Sequence, residues 1–291
     1  MNTKLWLAAL AAPVLAAASL AAALPAGAAS KAPTGVPAGS YQTFGSMRPV
    51  NVKLAPTHLP HPKRVANGVV QSSNWSGYAS VIKTAVTISE ISADFTIPSV
   101  NCAKSPLGTS GTAYDAIWAG LDGFSDDTVE QEGVDIFCTS AKSAPQYFAW
   151  YEMFPNGPVA FSGVSPGDAI SVTTDKTGAD WALTLKDITN GGGFTTKQPC
   201  PKGSTCKDAS AEVITEDPGT STPMYDLADF GMVNQTAILL HSSTGLRRSM
   251  YAPRLWNINE IEMTDGSGDV MAEPGTLYGS QAFNLSWLRG S

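Results

Sequence analysis

NWSGYASVIKTAVTISEISADFTIP, residues 74–98, marks a change of style in the chain. Here Val, Ile, Thr, Trp and Tyr gather in two short runs, Trp75–Ile82 and Val86–Ile97. β-Branched and aromatic residues suit a pleated, half-buried surface. Similar runs follow at Ala116–Leu121, Thr128–Phe137, Tyr147–Phe154, Ala169–Thr174, Trp181–Asp187, Ala211–Glu216, Thr236–His241 and Trp256–Met263. Many are spaced by roughly ten residues, as in a sandwich or barrel. No segment here carries a 3.6-residue apolar period, and 27 glycines with 20 prolines suit turns better than helices. Strands without crossover helices pair antiparallel. Residues 72–291 are therefore expected to form one all-β domain, an antiparallel two-sheet β-sandwich.

Outward from that domain, the first 29 residues read as a secretory signal peptide. Lys4 supplies the positive start, Leu5–Ala23 is apolar but for Pro13 and Ser19, and Ala26-Gly27-Ala28 offers a small-x-small cleavage site. The expected location is extracellular. Residues 30–71 hold six prolines and little periodicity, as a linker or pro-segment would. Residues 1–71 contain Lys4, Lys31, Arg48, Lys53, Lys63 and Arg64 and no acid, which leaves 12 bases against 25 acids in the body, a net of −13. A basic pro-segment on an acidic body would let go as carboxylates protonate. The acidic body argues against nucleic acid, whose binding needs a basic face.

Four cysteines, Cys102, Cys138, Cys200 and Cys206, read as disulfides in an exported chain. Cys200 and Cys206 bracket a short loop that could close locally, leaving Cys102 with Cys138. Zinc is disfavoured, because neither a C-x-x-C pair nor H-E-x-x-H is present.

Several chemistries fall away. Gly163–Gly167, GVSPG, matches a nucleophile elbow, but a strand follows it instead of a helix, and Ser165–Asp168 reads as a turn. His241 is the only histidine beyond the leader and reads as structural. Asp-Thr-Gly and Asp-Ser-Gly motifs are missing. Asp265–Asp269, DGSGD, lacks the downstream Glu of a calcium loop and reads as a hairpin turn.

What remains are carboxylates, amides and aromatics on strands, whose side chains alternate faces with period two. In TVEQEGVD, Gln131 shares a face with Val129 and Gly133, while Glu130 and Glu132 point away. Glu212, Ile214 and Glu216 share a face, as do Trp150, Glu152 and Phe154. One surface could thus present Gln131, Glu152, Glu212, Glu216 and Trp150. That set suits a binding groove or a hydrolytic site.

The order NWSG (74–77), AIWAGLDG (116–123), TVEQEGVD (128–135), AWYEMFP (149–155) and AEVITEDP (211–218) resembles the glutamic peptidases, or eqolisins. The likeness spans about residues 72–240. It implies a secreted acid endopeptidase with a Gln–Glu pair, on a lectin-like, jelly-roll sandwich of the concanavalin A type. Residue by residue, it gives the catalytic roles to Gln131 and Glu216 and supporting roles to Trp75, Trp118, Asp122, Trp150, Glu152 and Glu212. The departures are Glu130, where the family is apolar, Met153-Phe154 for Trp-Tyr, and Phe148 for Asp. Phe148, Met153 and Phe154 would make the cleft more apolar.

In that chemistry, ionised Glu216 takes a proton from a bound water, Gln131 donates to the oxyanion, and Glu216 then protonates the leaving amine. No metal or cofactor is required. The expected partners are polypeptide substrates, with the chain acting as a monomer and free of any membrane once the signal is removed. The alternatives are a carbohydrate-binding module, using Trp75, Trp118 and Trp150 to stack on sugars, or an extracellular glycosidase using Glu152 and Glu216.

Overall fold

The computed structural model describes residues 41–55, 63–64, 68–108, 110–219 and 225–290. The expected signal peptide, residues 1–29, and much of the basic leader lie outside the described residues.

Strands dominate the described residues. In chain order they are β1 (Tyr41–Phe44), β2 (Arg48–Pro49), β3 (Lys63–Arg64), β4 (Val70–Ser72), β5 (Trp75–Ile82), β6 (Ile88–Thr96), β7 (Ala113–Leu121), β8 (Val129–Cys138), β9 (Gln146–Phe154) and β10 (Val159–Ser162). They continue with β11 (Ala169–Thr177), β12 (Asp180–Asp187), β13 (Gly192–Pro199), β14 (Ser210–Glu216), β15 (Asp226–Leu227), β16 (Met232–Ser242), β17 (Arg247–Arg248), β18 (Trp256–Thr264), β19 (Val270–Pro274) and β20 (Phe283–Trp287). Each of the ten runs expected from composition is a strand. Pairing is antiparallel except for β4 on β18 and β15 on β7.

One layer runs β18-β5-β14-β7-β8-β9-β10. A second runs β13-β12-β11-β6-β16-β20. The hairpin from β18 to β19 links them, since β19 also pairs with β20. β11 and β12 pack across β7 and β8. Between the layers sits the main apolar core, with Ile117, Leu121, Val134, Ile136, Tyr151, Phe161, Leu183, Leu185 and Phe194.

Burial separates the layers. β12 alternates buried and half-exposed residues, as expected of a sheet wet on one face. β7 and β14 are buried at every position, and β8 at all but one. Their outer faces are therefore also covered. A second apolar cluster lies there, built on Trp75, Trp118, Trp150, Ile214 and Ile261, and it includes Leu54 from the leader.

Residues 41–55 belong to the stretch read as linker or pro-segment, yet they pack on the body. β1 pairs with β13 and β2 with β10, and Met47 is buried. The stretch 191–208, which holds none of the runs expected as strands, supplies β13 on the second layer. Thr195 and Thr196 pair with β1 there and Leu185 with Phe194, a partnership the Gly-rich start at 191–193 hides from a propensity reading.

The cysteines pair as Cys102–Cys138 and Cys200–Cys206. Ser165–Asp168 is a turn, closed by the Asp168 N–H to the Ser165 carbonyl. Asp265–Asp269 joins β18 to β19 as a hairpin turn. His241 pairs with Glu90 at 2.8 Å on neighbouring strands, a structural contact.

Candidate active site

Directly opposed residues in adjacent strands point to the same face. Register therefore sets three rows on the outer face of the first layer. Glu212, Gly120, Gln131 and Glu152 form one row across β14, β7, β8 and β9. Ile214, Trp118, Gly133 and Trp150 form the next. Glu216, Ala116, Asp135 and Phe148 form the third, with Trp75 opposite Glu216 on β5. Glu130 and Glu132 point the other way, where Thr174 Oγ1 donates to Glu132 Oε2 at 2.7 Å.

Two glycines make the middle of this face possible. A Cβ on Gly133 would lie 2.7 Å from Trp118 Cβ and 2.2 Å from the Ile117 carbonyl oxygen. A Cβ on Gly120 would lie 2.8 Å from Gln131 Cβ. Both contacts are far inside van der Waals distance, so the large neighbours depend on the missing side chains.

Glu216 ends β14, fully buried. Trp118 Nε1 donates to its Oε2 at 2.8 Å, and Asn74 Nδ2 donates to its Oε1 at 3.1 Å. Trp118 in turn packs edge-on against Trp75, with ring centroids 5.1 Å apart. Burial pushes the Glu216 carboxyl well above the usual carboxylate range; the Trp118 donor opposes this, and the charge of Glu152 adds to it. Gln131 Nε2 donates to Glu152 Oε2 at 2.9 Å, and both side chains are fully buried. One face of the layer thus joins an amide, a braced carboxyl, a second carboxyl and three indoles.

The profile of the Peptidase A4 family matches residues 73–282. This chain belongs to the Peptidase A4 family. Among family relatives, aspergillopepsin-2 from Aspergillus niger is 33% identical over 183 residues, which is 57% of this chain and 63% of that protein. The chain thus spans less than two thirds of that relative's length. Scytalidopepsin B from Scytalidium lignicola is 29% identical over 209 residues, covering 69% of this chain and 72% of the relative. The fold matches the crystal structure of scytalido-glutamic peptidase with a transition state analog inhibitor, at TM-score 0.61 and 21% identity. That match takes in 75% of this chain and 99% of the other.

Within this Peptidase A4 chain, most of the residues singled out in the sequence converge. Gln131, Glu152, Glu216, Trp75, Trp118 and Trp150 share the outer face. Glu212 sits in the row of Gln131; burial first, then the charges of Asp122, Asp126 and Glu130, raise its pKa. Asp122 has a different task. In a left-handed conformation, φ 66°, its carboxylate accepts the backbone N–H groups of Lys207, Asp208 and Ala209 at 2.6–2.8 Å. It clamps the approach to β14 and supports the site through that strand.

Two of the departures from the family pattern do not reach the cleft. Glu130 and Met153 are opposed across β8 and β9, and Met153 joins the core between the layers. Phe148 and Phe154 do pack on the outer-face cluster. The sequence reading missed Asn74 as a functional residue. Asn74 appeared there only as the start of a motif, yet it is buried, holds Glu216, and its carbonyl accepts the Asp217 N–H at 2.9 Å. Tyr114 was also missed; its hydroxyl donates to Asp135 Oδ2 at 2.7 Å on the same face.

Proposed function

We propose that this chain is a secreted acid endopeptidase in which Glu216 and Gln131 hydrolyse the peptide bond. The observation that carries the reading is the Glu216 carboxyl, held by Trp118 and Asn74 on the same buried face as Gln131. Membership in the Peptidase A4 family supports it.

Peptide hydrolysis needs an activated water, a stabilised oxyanion and a proton for the leaving amine. Glu216, ionised, takes a proton from a water seated between it and Gln131. The Gln131 amide has two N–H groups. One is held by Glu152, and the other faces the developing oxyanion. An uncharged donor in this role contributes roughly 3–4 kcal/mol. Protonated Glu216 then gives its proton to the amine nitrogen. A group acting as base and then acid works near its own pKa. An ordinary Glu titrates near ~4.3, and the buried environment moves Glu216 upward from there.

In this reading residues 1–29 are the export signal, the leader beyond them is removed as a pro-segment, and the mature domain acts as a monomer. The two layers are read as a lectin-like sandwich whose outer face became the cleft. The test is hydrolysis of an acid-denatured protein at about pH 3–4, with pepstatin present. Cleavage by the wild type, lost in both Glu216→Gln and Gln131→Ala, supports the reading. No cleavage anywhere in the acid range overturns it, and release of sugar from a glycan panel would favour a glycosidase.

A further inference from the structure

We infer that residues 50–55 are a built-in occupant of the polypeptide cleft, an extended chain whose alternate apolar side chains mark the cleft's own subsites. The inference rests on the peptidase reading of that face.

The segment VNVKLA has the burial of an extended chain on a surface. Asn51 and Lys53 are exposed, Val52 is half-buried and Leu54 is 3% exposed. That alternation has period two. Leu54 lies in the cluster of Trp75, Trp118 and Trp150, and Val50 and Val52 pack against the same cluster. These are the indoles that brace Glu216 and flank Gln131.

The backbone is pinned at both ends. The Val50 N–H donates to the Ala160 carbonyl at 3.0 Å, on β10. The Ala55 N–H meets the Tyr114 hydroxyl at 3.4 Å, on β7. Between β10 and β7 lie β9 and β8, which carry Glu152 and Gln131. Five extended residue steps reach about 17 Å, and three strand spacings span about 14 Å. The segment has the length to cross the face: it leaves the edge of β10 after Val50 and places Leu54 among the indoles of β5, β7 and β9. It makes few backbone hydrogen bonds and relies on side chains, as a ligand in a groove does.

The hold is apolar. Among the described residues, no ion pair includes Arg48 or Lys53, and the Arg48 guanidinium bonds to the carbonyls of Gly45 and Met47. An ionic latch formed by these two bases is thus replaced by Val50, Val52 and Leu54. Gln131, Glu152 and Glu216 on that same face are all fully buried. A substrate polypeptide must displace it, and the best substrates should place apolar side chains two apart, as the segment does.

The test uses the full-length chain carrying Glu216→Gln, so that it stays intact. A labelled peptide of residues 49–56 is titrated into this parent and into the same chain with Leu54→Asp, at acid pH. The Leu54→Asp chain should bind the peptide at least about tenfold more tightly than the parent, and acrylamide should quench its tryptophan emission more strongly. A peptide with Asp at both positions 52 and 54 should lose binding. Equal binding by the two chains overturns the inference, as does no binding by a Leu54→Asp chain that keeps its β-sheet signal and a cooperative melt. Should Leu54→Asp fail to fold, Val52→Asp, at a half-buried position, takes its place with the same readings. Hydrolysis by the Glu216 enzyme without the binding difference would sink the occupant and leave the peptidase. The binding difference without hydrolysis would do the reverse.

Discussion

Gln131 and Glu152 stand directly opposite each other on β8 and β9, and the amide Nε2 donates to the carboxyl Oε2 at 2.9 Å. This bond fixes which end of the Gln131 amide carries its hydrogens. A free amide could rotate and offer its oxygen to the oxyanion, which would repel it. Glu152 is therefore a positioning residue. Glu152→Gln keeps an acceptor in place and should cost activity only modestly. Glu152→Leu removes it and should lower kcat by roughly 10²-fold, near the cost of losing one oxyanion donor, with KM little changed. Steady-state kinetics on both variants decide the matter. Loss in Glu152→Gln as deep as in Glu216→Gln, with the fold retained, would make Glu152 a reacting group.

Glu216 receives one hydrogen bond from Trp118 and one from Asn74. Donors to a carboxylate favour its ionised form. Trp118→Phe keeps most of the packing and removes one donor, so the pKa of Glu216 should climb further. The base must ionise before it can work, so the acid limb of the kcat/KM profile should move to higher pH, by about one unit. An unmoved limb would assign that titration to another group.

Gly133 gives a test of packing separate from chemistry. Gly133→Ala drives a methyl toward Trp118 Cβ and the Ile117 carbonyl. The strand cannot yield, because β8 is hydrogen-bonded on both sides by β7 and β9. Overpacking of this kind costs about 1–3 kcal/mol, and Trp118 is the residue displaced. The variant should melt lower and also lose activity through the Glu216 brace. Full activity with an unchanged melt would show that β7 shifts freely.

Strand identity was legible because each run carried its own β-branched and aromatic residues, and period two gave the parity of Gln131, Glu152 and Glu216 within each strand; their common face follows from the register of β14, β7, β8 and β9. What escaped were features that depend on partners. β13 opens with Gly192-Gly193, where Phe44 of β1 packs against the bare backbone, so glycine there signals a close neighbour and not a loop. Met153 looked like a cleft residue by analogy of position, and its parity on β9 sends it to the core. Asn74 stood out only as the first residue of a motif, because its partner, Glu216, lies 142 residues downstream. The burial of Leu54 could not be read from a Pro-rich leader, since the surface that covers it comes from β5, β7 and β9.

The last prediction concerns pH and stability. Asp115, Glu132, Asp135, Glu212, Glu216 and Asp217 are buried, and burial raises the pKa of each well above the usual range; Glu130 is pushed up to about 10. In the unfolded chain these groups titrate near ~4. Below that pH both states hold the protons and the fold bears no penalty. As pH rises past it, the unfolded chain releases protons that the folded chain keeps, so unfolding becomes progressively easier until each folded pKa is reached. Each such group costs up to about 1.4 kcal/mol per pH unit. The melting temperature should therefore be highest in the acid range and fall steadily toward neutrality. Asp115 isolates the effect, because neither of its carboxyl oxygens has a hydrogen-bond partner and it lies off the catalytic face. Asp115→Asn should flatten the fall by about one group's share while leaving the acid-range activity intact. A melting temperature that rises from about pH 4 to 7 would mean that these carboxyls are ionised in the folded protein and that charge pairing, not burial, governs them.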